Sequence, residues 1–243
     1  MTPSAARLYD VVDGTWPAAR FIPMGPWTLR DGQGGGKRVS AATTSRPVTD
    51  AEIAQAEQAM MDMGQSRLFM IREGDDALDD QLKTRGYQQI DTSIMYACPS
   101  VQLTDIPIPP VTIFAIWEPL SIMIEIWAQG GIGPARLAVM DRAVGPKTGF
   151  LARFNEKPGG TAYAAIHDGT AMVHAVEVLP HQRRLGVGNW IMRAAAFWAV
   201  EQGADTLSVI CTEQNRAANA LYASLGMTVV GQYHYRHKPT EPT

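Results

Sequence analysis

"LPHQRRLGVGNWIM", Leu179 to Met192, sets two arginines and two glycines between an apolar run and a stretch with helical spacing. Upstream, Ala171 to Val178 is rich in β-branched residues and stops at Pro180, which predicts a strand; downstream, Asn189 to Gly203 predicts a helix of about four turns. The order is strand, turn, helix. Gly186 and Gly188 carry no Cβ, so successive backbone N–H groups there are free to face a ligand. A helix start has unpaired N–H groups and a partial positive charge, and Arg183 and Arg184 add full charges beside it. Such a turn suits an anion, phosphate above all. The alternative is a plain connection whose glycines merely fit a tight bend. A dinucleotide-binding turn is disfavoured, because Ile191 stands where a third glycine belongs.

The chain around this turn has 243 residues, 46% of them hydrophobic and 19% charged, with a net charge of −3. That is ordinary for a globular protein and supplies no broad basic surface, so no nucleic-acid partner is expected. Cys98 and Cys211 lie far apart and lack metal-ligand spacing, which predicts neither a disulfide nor a metal site and fits a reducing cytoplasm. The longest apolar run, Val111 to Ala128, is broken by Glu118, Pro119 and Glu125, so no membrane association is expected.

Working outward, "TGFLARFNE" and "TAYAAIHDG" predict two strands about a "KPGG" turn, and "TAMVHAVEVLP" a third after a tight "HDGT" connection. Beyond the helix come a strand at "DTLSVICTE", a helix at "NRAANALYASLG" and a strand at "MTVVGQYHYRH". The first hundred residues read as mixed α and β: strands at "PWTLRDG" and "KRVSAAT" about a Gly32–Gly36 hairpin loop, a helix capped at Thr49/Asp50, then strand, helix and strand up to Pro99. Pro107, Pro109 and Pro110 mark a linker. The expected organisation is an N-terminal α+β domain at 1–99, a Pro-rich linker at 100–112 and a catalytic domain at 113–243. A faint echo links "QLKTRGY" (Gln81 to Tyr87) with "LYASLGM" (Leu221 to Met227), as if the two parts were related.

Two segments together carry a resemblance. Arg183, Gly186 and Gly188 match one signature of the GCN5-related N-acetyltransferase (GNAT) superfamily, and Asn215, Ala218, Leu221, Tyr222, Gly226 and Met227 match another, in the right order. The resemblance covers roughly Phe114 to His237 and implies an α/β fold, a mixed and mostly antiparallel central sheet flanked by helices. The N-terminal part resembles the degenerate half of tandem members and would shape the acceptor site. The implied activity is transfer of the acetyl group of acetyl-CoA, as co-substrate, to a primary amine by direct attack. No metal is implied, and a monomer or a homodimer fits equally. A non-catalytic acyl-CoA sensor is the competing reading.

By the same resemblance the pyrophosphate lies on the N–H groups of Arg184, Leu185, Gly186, Val187, Gly188 and Asn189, with Arg183 beside them. Val176 and Val178 pair with the pantetheine arm, which Asn215 and Ala218 help to hold. Tyr222 is the expected proton donor to the departing thiolate. His174 is the first choice of base, because alternation puts it on one face with Val176 and Val178 and a histidine stands at a similar place in arylalkylamine acetyltransferases. Glu177 has the opposite parity and reaches the site only through a bulge. Met172 stands where the histone enzymes carry a glutamate, and Ile210 where the enzymes that acetylate ribosomal-protein N-termini carry one, which weakens a ribosomal reading.

Overall fold

The computed structural model describes residues 2–239. Helix α1 (Ala5–Thr15) starts where the Ser4 side chain accepts from the Arg7 N–H, and Leu8, Val11 and Val12 bury its inner stripe. Strands β1 (Arg20–Met24), β2 (Trp27–Asp31) and β3 (Thr43–Thr44) make a small sheet in that order. Helix α2 (Asp50–Asp62) opens on a reciprocal cap between Thr49 and Glu52. Then follow β4 (Leu68–Ile71), α3 (Asp76–Thr84) and β5 (Gln88–Pro99). The rest of the chain supplies β6 (Ile113–Ile116), α4 (Ser121–Gln129), α5 (Pro134–Arg142), β7 (Lys147–Phe154), β8 (Lys157–His167) and β9 (Thr170–Val178). It closes with α6 (Val187–Glu201), β10 (Thr206–Thr212), α7 (Arg216–Ser224) and β11 (Thr228–His237).

The main sheet has eight strands in the order β4-β11-β5-β10-β9-β8-β7-β6, and its pairs are antiparallel except β9 with β10. The mixed α/β sheet flanked by helices is the fold class the sequence implied. One face packs against α6 through Ile191, Met192 and Ala195, and the other against α1 and α4 through Leu8, Val11 and Trp127. Both β4 and β5 stand in this sheet, and β5 pairs with β10 on one side and β11 on the other. The segment 100–112 therefore joins two strands of one sheet. The units β4–α3–β5 and β10–α7–β11 are interleaved: β4 pairs with β11, β10 with β5, and the two inner strands with each other. Each of their helices is followed by a left-handed glycine, Gly86 and Gly226, where the echo was read.

Two local expectations are corrected. "KRVSAAT" begins as a 3-10 turn at Lys37–Val39 and joins a strand only at its last residue, where β3 starts at Thr43; Gly32 to Gly36 thus lie in a longer connection between β2 and its antiparallel partner β3, while the tight hairpin partner of β2 is β1. The turn between β7 and β8 falls on Asn155 and Glu156, both with positive φ, so "KPGG" opens β8 instead of forming the bend. Among the described residues no helix is long and apolar enough to cross a membrane.

Candidate active site

Strand β9 ends at Val178, the chain makes one 3-10 turn at Pro180–Gln182, and Gly186, with φ 84°, caps α6 in the left-handed region. No side chain caps this helix, and its first cap bond runs from the Trp190 N–H to the Gly186 carbonyl at 3.1 Å. The N–H groups of Val187, Gly188 and Asn189 precede that bond and lack helical acceptors. A Cβ on Gly188 would meet Leu221 Cδ2 at 2.9 Å, so the glycine lets the start of α6 approach α7. Arg183 Nε donates to the Val178 carbonyl at 3.1 Å, which pins the turn to the strand it leaves.

From this turn a cleft of about 1140 Å³ runs into the sheet. Its cause is the register of β9. Thr170 to Val173 pair with Thr206 to Leu207 and on to Val209, after which the two parallel strands part. Val178 turns its main-chain groups to this open side, since Leu179 N–H already donates to Gly159 of β8 and antiparallel bonding alternates. Every site residue expected from the sequence lines the cleft except Leu185, which is exposed. Arg38 and Ser93 line it as well, and neither has a motif that marks it in the sequence.

Strand alternation fails in the middle of β9. Tyr163 faces His174 and Thr161 faces Glu177, so β8 spends two residues where β9 spends three; Ala175 takes φ 52° at this bulge. His174 and Glu177 consequently share a face, and His174 does not share one with Val176 and Val178, which pack toward α6. His174 is buried under the Trp16 ring, 5.0 Å between centroids. Its Nε2 lies 2.9 Å from Thr15 Oγ1, whose own hydrogen goes to the Val11 carbonyl, so Nε2 is the donor; Nδ1 accepts from Arg38 Nη1 at 3.2 Å. Burial, reinforced by the Arg38 charge, holds this imidazole well below its ordinary pKa. Both nitrogens are engaged and protonation is opposed, an environment for a neutral structural histidine. Glu177 is half-buried with its carboxylate beside Gly130, and burial raises its pKa against the pull of Arg183 and Arg136.

Tyr222, on α7, is 3% exposed and packs against Tyr96 with the rings tilted and their centroids 5.5 Å apart, while its hydroxyl makes no hydrogen bond among the described residues. Burial raises its pKa, with smaller contributions from Cys211 and Tyr96. Asn215 caps α7 by accepting from the Ala218 N–H at 3.1 Å, and Asn219 bridges Tyr96 to the Thr212 carbonyl. These bonds hold α7, and with it the phenol, against the end of β10. No group of three or more metal-ligating side chains occurs among the described residues.

Residues 122–227 match the Acetyltransferase (GNAT) family. An uncharacterized N-acetyltransferase, YobR, of Bacillus subtilis (strain 168) is 26% identical over 241 residues, covering 96% of this chain and 98% of its own. Among solved structures, a GCN5-related N-acetyltransferase from Kribbella flavida superposes with a TM-score of 0.70 at 20% identity, over 99% of this chain and 97% of that one. A conserved protein of unknown function from Staphylococcus epidermidis ATCC 12228 superposes at 0.69 and 12% identity, over 93% and 96%. The signature turn and the parted strands both fall inside residues 122–227, and that part of the chain is a domain of the GNAT acetyltransferase family, a family of acyltransferases.

Proposed function

We propose that the protein transfers the acetyl group of acetyl-CoA to a primary amine by direct attack. The observation that carries this reading is the cleft itself: it leads from an uncapped helix start flanked by arginines, between β9 and β10, to a carboxylate and a phenol that face the same space. The pyrophosphate sits on the N–H groups of the α6 turn, and the pantetheine arm takes the place that β10 vacates beside Val176 and Val178.

At the reacting centre the amine nitrogen attacks the thioester carbonyl carbon, a main-chain N–H near Val178 receives the developing oxyanion, and the carbon–sulfur bond breaks. Glu177 takes the proton released by the amine, directly or through a water; its raised pKa brings it nearer the operating range of a base than a free carboxylate. Tyr222 returns a proton to the CoA thiolate, for which a phenol kept protonated by burial is suited. His174, with both nitrogens paired, positions the β9 bulge and moves no proton.

Calorimetric titration with acetyl-CoA, followed by thiol release against a panel of amines, tests the reading. Saturable binding with CoA release on particular amines is the expected result. Absence of binding at millimolar acetyl-CoA sinks it, and tight binding with silence across the panel transfers the protein to the sensor class.

A further inference from the structure

The N-terminal part sends one cation into the cleft. Arg38 stands in the 3-10 turn after Gly36, where it donates from Nε to the Tyr233 hydroxyl at 3.3 Å and from Nη1 to His174 Nδ1 at 3.2 Å. The buried arginines among the described residues each hold an aspartate: Arg30 with Asp13 at 2.7 Å, Arg236 with Asp79 at 2.6 Å, and Arg193 with Asp105. No carboxylate pairs with Arg38 among the described residues. Its bonded partners are a phenol and an imidazole, and burial keeps the nearby Tyr235 phenol protonated. A guanidinium stays charged at any working pH, so a half-buried one without a counter-charge favours an anionic ligand that supplies it.

Its position says which ligand. Arg38 reaches the cleft through His174, on the face of β9 away from α6, whereas Arg183 and Arg184 guard the other end at the helix start. The donor's phosphates are thus served by a different pair of cations. Arg38 lines the cleft, bonds Tyr233 and His174 and lies beside the Tyr235 hydroxyl; a guanidinium has five N–H donors, so donors remain for a carboxylate's two oxygens and single charge.

We propose that Arg38 anchors a carboxylate on the acceptor, so that the acceptor is a small molecule bearing both an amine and a carboxylate, an amino acid or close relative. The amine then lies toward Glu177 and the carboxylate toward Arg38, the two ends of the same cleft face. This rests on the acetyl-transfer reading above and specifies its second substrate.

The test uses the full chain and probes that differ only in the carboxylate: N-acetyl-L-amino acids against their amides for binding in the presence of CoA, and L-amino acids against their amides as acceptors. Wild type is expected to favour the acids by about tenfold or more. Arg38→Met removes the preference while acetyl-CoA affinity stays at the wild-type value, and Arg38→Lys retains only part of it. If Arg38→Met fails to fold, shown by loss of acetyl-CoA binding, the Arg38→Lys comparison decides. The proposal is overturned if wild type treats acids and amides alike, binds neither series, prefers phosphate-bearing amines, or keeps its preference in the variant that folds. Failure of acetyl-CoA itself to bind wild type would instead remove the reading beneath it.

Discussion

A phenol reserved as a proton donor has to keep its proton until the thiolate appears, and Tyr222 is buried enough to do so. Tyr222→Phe preserves the ring contact with Tyr96, so turnover is expected to fall about a hundredfold with acetyl-CoA affinity unchanged. Equal turnover in single-exchange kinetics would hand the role to water. Glu177 makes a separate prediction. Burial raises its pKa, so the wild-type rate should fall on the acid side above the ordinary carboxylate range; Glu177→Gln should lose that limb, run about a hundredfold slower near neutrality and recover as the amine deprotonates at high pH. His174 is read through stability instead. Its folded pKa lies well below the unfolded value near 6.5, so the unfolded chain takes up a proton first as pH falls. The stabilisation is complete above that value and is lost below it by about 1.4 kcal/mol per pH unit, down to the folded pKa. Chemical denaturation across pH 4 to 8 should show this component in wild type and lack it in His174→Gln. A wild-type pH–rate profile set by His174 would contradict the structural reading.

Among elements, the α6 turn gathers the most of the proposed cofactor site in the fewest residues. Gly186 sits at φ 84°, a conformation that costs an ordinary residue about 1–2 kcal/mol and a β-branched one more. Gly186→Val is expected to abolish acetyl-CoA binding by calorimetry while circular dichroism stays native; wild-type affinity would make the turn purely structural. This turn was readable because its chemistry is local, a run of glycine and arginine between two periodic segments. The α2 cap was readable for the same reason, through Thr49 and Glu52. Helices α1 and α5 escaped notice, although Ser4 before Leu8, Val11 and Val12, and Pro134 at a first turn, are both start signals. The bulge at Ala175 was not readable. Whether β9 alternates cleanly depends on how β8 spends its residues opposite it, and that is settled by packing of Tyr163 and Trp16 around His174. Arg38 was hidden too, since nothing near it in sequence announces that its loop ends over a sheet formed mainly by residues far along the chain.

At the scale of the whole molecule, the Pro-rich segment was legible as a break in regular structure, but the sequence carries no sign of which strands lie on either side of it. We propose that the two parts form a single folding unit with a cleavable surface connection. Protease should cut first between Thr104 and Thr112, and the two fragments should co-elute on gel filtration, because β5 is bonded along both edges to strands from the other fragment. Fragments that separate and keep native spectra would show two autonomous domains. The same interleaving bears on how the protein is made. Strand β5 is complete at Pro99, whereas its neighbours, starting at Thr206 and Thr228, leave the ribosome more than a hundred residues later. During that interval the nascent chain carries a twelve-residue strand with both edges open, buried later but apolar now at Ile94, Met95, Tyr96 and Ala97. Newly synthesised chains should therefore depend on chaperone occupancy until translation nears its end, and ribosome-bound truncations that stop before β10 should aggregate on release.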